Sequence, residues 1–198
     1  PASAGETVDP YDFRRRASTG IRPRGRVAFG GTEAPAVFTR SPHPATEDRR
    51  IITDVCRVQS RFKDARIEGL VLPLPNRGDV PALGGIAEAL HPVLPLVILE
   101  PGPDVGVDAL EALPGDMAWA VAIPARRVDA PWLAWAAEHE GFVAADLGPD
   151  DDWEALVADW TKLSGNENLV VCARAGERPE WYGHPAGAHR LLAAKLET

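Results

Sequence analysis

Five short apolar runs recur along the last two-thirds of this 198-residue chain, each roughly 26 residues after the one before. They are Ile67–Pro73, Leu94–Glu100, Ala118–Pro124, Phe142–Leu147 and Leu169–Ala173. Runs rich in Val, Ile and Leu, with no polar alternation, read as strands buried on both faces. Between them lie segments of helical periodicity, and strands alternating with helices at this spacing pair in parallel through right-handed crossovers. The fold class is therefore α/β, a mainly parallel sheet of five or six strands with helices between them. A complete eightfold barrel needs about 250 residues. The length favours an open, doubly wound (Rossmann-like) sheet over a (β/α) barrel or barrel fragment.

An earlier strand or hairpin is expected from Arg26–Phe29 and Ala36–Thr39 around Gly30-Gly31. Helix punctuation follows. A helix opens near Thr46, with Glu47 and Asp48 in its first turn and Ile51, Ile52, Val55, Val58 and Phe62 as its apolar stripe. Asp79 and Pro81 open a segment with core positions Leu83, Ile86 and Leu90, in which Gly84-Gly85 reads as a close-packing step. Asp104 or Asp108 opens a short one. Asp129 caps Ala130–His139, with Gly141 just past its end. Trp153, Leu156 and Trp160 share one face of a later helix, expected to meet the sheet.

Residues 1–26 are rich in Pro, Gly, Ser and Arg and lack an apolar period, which reads as an extended or partly disordered N-terminal arm ahead of a single α/β domain at 27–198. The arm carries +3 and the remainder −11, for a net charge of −8. An acidic body argues against a nucleic-acid platform. No apolar run is long enough to span a membrane, and no signal-peptide pattern opens the chain. Cys56 and Cys172 make neither a disulfide framework nor a metal pair, and both read as small buried hydrophobes. A cytoplasmic protein is expected, with homo- or hetero-oligomerisation through the arm as one partner arrangement.

Parallel α/β sheets carry their ligands at the carboxyl ends of the strands. Reading those ends yields Asn76 and Arg77, Glu100, Arg126 and Arg127, Asp146 and Arg174. Acids and arginines on one rim either bridge each other or hold a polar, anionic small molecule. Asn76, Arg77, Arg126 and Arg174 are the ligand-binding candidates. Asp146 and Glu100 are the candidate general bases.

Familiar catalytic patterns are missing. There is no G-x-G-x-x-G after a strand, no G-x-x-x-x-G-K-[ST], no G-x-S-x-G and no H-E-x-x-H, and no metal ligands are proposed. Gly30-Gly31-Thr32 is a weak phosphate cradle, and Trp181-Tyr182 after the last strand suit a lid or partner contact. The expected function is a small-molecule-binding α/β protein, a sensor or non-catalytic subunit. The alternatives are an acid–base enzyme (lyase, isomerase or hydrolase) using Asp146 or Glu100, and an interaction subunit of a larger assembly. No cofactor is identified.

Overall fold

The computed structural model describes residues 37–61, 67–147, 151–152, 155 and 169–173. Six strands form one sheet: β1 (Phe38–Arg40), β2 (Gly69–Leu74), β3 (Leu96–Pro101), β4 (Ala118–Pro124), β5 (Val143–Leu147) and β6 (Leu169–Ala173). Every pairing is parallel. Each of the five apolar runs contains a strand, and β3, β4 and β5 carry buried side chains on both faces, as a parallel sheet interior requires. The helices are α1 (Asp48–Arg61), α2 (Leu83–Leu90) and α3 (Ala130–Glu138). Short 3-10 turns precede α1 and α2, and further ones follow β3 and β4. No helix among the described residues is long and apolar enough to cross a membrane.

The winding departs from expectation. A doubly wound sheet reverses its strand order once, so its helices cover both faces. Here the strands lie side by side in chain order, β1 through β6. Right-handed crossovers between successive neighbours all return on the same side. Ile51 and Val55 of α1, Ile86 and Leu90 of α2, and Trp132, Leu133 and Trp135 of α3 accordingly share one core with Leu70, Leu72, Val97, Leu99, Val121 and Val143. The opposite face is a separate layer of Leu96, Ile98, Ala118, Ala120, Phe142 and Ala144, with no described helix in it. One-sided winding is also the order of a barrel wall.

Local chemistry explains the boundaries. The Asp129 side chain accepts from the Trp132 backbone N–H at 3.2 Å, which caps α3. Asn76, not Asp79, begins the segment before α2. Asp79 sits three residues on, buried, and its carboxylate accepts from the Asn76 N–H at 3.0 Å. Pro73 lies inside β2, where a proline usually breaks a ladder. Val71 O accepts from Ser41 N, so the odd-numbered positions of β2 face β1. β1 has ended at Arg40 before Pro73 is reached, so the missing N–H removes no ladder bond.

Two side-chain expectations are corrected. Cys56 is exposed. The helical step of about 100° beyond buried Val55 turns it to solvent. Gly84 and Gly85 are exposed too, and a Cβ at Gly84 would meet nothing within 4 Å, so this pair is not a packing step. The expected arm, the Gly30-Gly31-Thr32 turn, Phe62, the Trp153–Leu156–Trp160 face, Arg174 and the Trp181-Tyr182 loop lie outside the described residues. So do the environment of the Cys172 side chain and the 27–198 boundary.

Candidate functional site

Strand alternation places Glu100 on the helix-free face with Leu96 and Ile98, and Asp146 on the same face with Ala144. Both lie at the carboxyl edge and are partly buried. They stand two strands apart, roughly 10 Å laterally. The structure adds a residue absent from the sequence-derived set. Arg40, the last residue of β1, reaches past β2 to Glu100. Its Nε and Nη2 both donate to Glu100 Oε2, at 2.9 and 2.6 Å. Donation to Glu100 raises the Arg40 guanidinium above its ordinary value, helped by the carboxylate's charge and opposed by partial burial. The arginine is 60% exposed and the glutamate 26%.

The other arginines take different partners. Arg77 pairs with Asp108, clasping the loop after β2 to the loop after β3, with both side chains well exposed. Asn76 is exposed and contributes to the turn described above. Arg126 is exposed and makes no hydrogen bond or ion pair with another described residue.

Arg127 is committed to backbone. Its Nη1 donates to Pro101 O at 3.0 Å and Gly102 O at 3.1 Å, and its Nη2 to Val105 O at 3.2 Å. The β3–β4 pairing ends at Leu99 and Val121, so these carbonyls have no strand to bond. Its guanidinium also lies 5.9 Å from the Trp132 ring centre. Arg127 therefore holds the loop after β3 rather than waiting for a ligand. Arg127→Met keeps the apolar stem and strips three acceptors, so it should cost about 2–4 kcal/mol in urea unfolding. A loss below about 0.5 kcal/mol would show that water replaces the guanidinium freely.

His43, in the turn before α1, stands between two carboxylates. Nδ1 is 3.2 Å from Glu47 Oε2 and Nε2 is 3.6 Å from Asp54 Oδ2. Arg50 and Arg57 flank that chain from the same helix. Buried Ser41 donates to His43 O and accepts from His43 N, so this cluster shapes the turn into α1. The carboxylates approach opposite ring nitrogens, which precludes a common metal point. Among the described residues no group of three His, Cys, Asp or Glu side chains is placed to share an ion. A cleft beside β1, lined by Thr39, Arg40, Ser41, Asp54, Val55 and Leu70 among others, measures about 30 Å³. That volume suits a water or two rather than a metabolite.

Strand direction made the shared edge of Glu100 and Asp146 available in the sequence, and the sheet register put them on one face. The Arg40 partnership had no sequence sign, because it joins residues 60 positions apart and depends on β1 lying beside β2. No protein-family model matches the chain, and no curated protein is similar to it.

Proposed function

We propose that this protein binds a small polar molecule at the carboxyl edge of the sheet, on the helix-free face, as a sensor or non-catalytic subunit. The observation that carries this reading is the Arg40–Glu100 pair on the same face and edge as Asp146. Charged groups at the ends of buried parallel strands are where this architecture holds ligands. Binding is favoured over acid–base chemistry because Glu100, one of the two candidate bases, has one oxygen occupied by two guanidinium N–H groups. Asp146 remains the base in the enzymatic alternative.

Native mass spectrometry of the purified full chain identifies any retained small molecule. Thermal-shift screening of organic acids, sugars and sugar phosphates covers the case in which none is retained. Calorimetry with the hit then tests Asp146→Asn, Glu100→Gln and Arg126→Lys. At least a tenfold loss of affinity is expected in Asp146→Asn or Glu100→Gln, equivalent to about 1.4 kcal/mol. Unchanged affinity in all three folded variants would reduce the edge to a solvated charge network.

A further inference from the structure

We propose that Arg40 is the residue that grips the ligand's oxyanion, a carboxylate or phosphate, and that Glu100 is the residue that positions Arg40. This rests on the reading of the carboxyl edge as a ligand site and names the chemistry that the site takes. A guanidinium has five N–H donors in a planar fork. Arg40 spends its inner edge, Nε and one side of Nη2, on a single oxygen of Glu100. The outer edge, Nη1 with the second N–H of Nη2, donates to no other described residue. That outer edge is a second donor pair, able to meet carboxylate or phosphate with two parallel hydrogen bonds.

The fold makes the outer edge accessible and holds it still. β1 ends at Arg40 and Ser41 turns away, so the side chain overhangs the sheet edge instead of packing beneath a longer strand. Pro73, opposite Glu100 on the intervening strand, has a short ring and leaves the crossing open. Glu100 is only 26% exposed and its strand position is set by six register partners between β2 and β3, so it is a rigid post. A cation pinned on its inner side loses less rotamer freedom when it takes a ligand on its outer side. A pair this exposed is a weak stabilising device on its own, whereas it is well suited to presenting a donor pair.

The test is NMR of the ¹⁵N-labelled full chain, following the Arg40 Nε–Hε resonance, which is assigned by its disappearance in Arg40→Lys. The probes are inorganic phosphate and glycolate, each titrated into the millimolar range. The Arg40 resonance is expected to shift saturably with at least one probe, and the preference between them separates phosphate from carboxylate ligands. Arg40→Lys keeps the charge but loses the fork and should weaken binding at least tenfold. Glu100→Gln should weaken it several-fold and broaden the Arg40 Nε–Hε signal even without probe, while Glu100→Asp restores part of both. Thermal unfolding of these variants should stay near that of the unsubstituted chain, which separates positioning from folding. An Arg40 resonance unmoved by both probes overturns the proposal. If the Asp146 or Leu147 amides shift while Arg40 does not, the edge binds ligand and Arg40 is not its anchor. Shifts nowhere on the edge overturn the oxyanion proposal, and the ligand screen then decides the edge by itself.

Discussion

Gly141→Ala is expected to destabilise the protein by about 3–5 kcal/mol, or to prevent folding, through overpacking that the surroundings cannot relieve. A Cβ built at Gly141 lies 1.9 Å from the Trp119 carbonyl oxygen, and that atom is β4 backbone rather than a flexible side chain. The glycine cannot simply withdraw. Its N–H donates to Ala136 O at 2.8 Å, which closes the end of α3, and the next residue's carbonyl accepts from Val121 N at 3.1 Å. Moving it away strains either the helix end or the β4–β5 ladder. Gly84→Ala is the matched control. Nothing lies within 4 Å of that Cβ, so the same change should raise stability by about 0.5–1 kcal/mol through helix propensity. Urea unfolding of the two variants reads out the contrast. A Gly141→Ala midpoint equal to that of the unsubstituted protein would mean the strand and the turn after α3 are not in contact.

Trp135→Ala should cost a similar 3–5 kcal/mol, for a different reason. Trp135 is 2% exposed and packs edge-on to Trp132, with ring centres 6.4 Å apart and planes at 75°. His139 stacks on the Trp135 ring at 4.6 Å, and the Trp135 Nε1–H donates to Leu110 O at 3.3 Å. Removing the indole therefore opens a cavity and orphans a carbonyl in the loop between β3 and β4. Trp135→Phe keeps most of the ring and loses the hydrogen bond, so its cost should fall to about 1–2 kcal/mol. An alanine variant within about 1 kcal/mol of the unsubstituted protein would show that the neighbouring rings collapse into the gap.

Both effects expose a limit on reading glycine and tryptophan from sequence. Gly141 is recognisable as a helix stop, yet the left-handed residue at that turn is Glu140, with φ of 50°. What requires a glycine at 141 is the approach of a strand 22 positions earlier in the chain, and no local pattern encodes that. Trp135 was legible only as one residue of the helix that Asp129 opens. Trp132 is its neighbour three residues back on the same helix, whereas the partner Leu110 follows from where α3 docks against the loop between β3 and β4.

The same division runs through the candidate site. Val97, Ile98 and Leu99, or Val143, Ala144 and Ala145, could be recognised as sheet interior because a parallel strand covered on both sides has no position left for water. The cap at Asp129 was equally plain, since an aspartate just before Ala-Pro satisfies orphan N–H groups within one turn. Strand direction then brought Glu100 and Asp146 to one edge. Those are properties of nearest neighbours along the chain, so the amino-acid order alone determined them.

Tertiary structure decided everything that depends on which strand lies beside which. Chain-order pairing placed the helices on one face and left the other without a described helix, where chain length had favoured a two-sided sheet. It set Arg40 across from Glu100, sent Arg127 to the carbonyls of Pro101, Gly102 and Val105, and joined Arg77 to Asp108. The physical reason is range. Burial patterns and caps are local free energies written every two to four residues, whereas an arginine's choice of partner is a contest among distant acceptors that only the assembled sheet brings within reach.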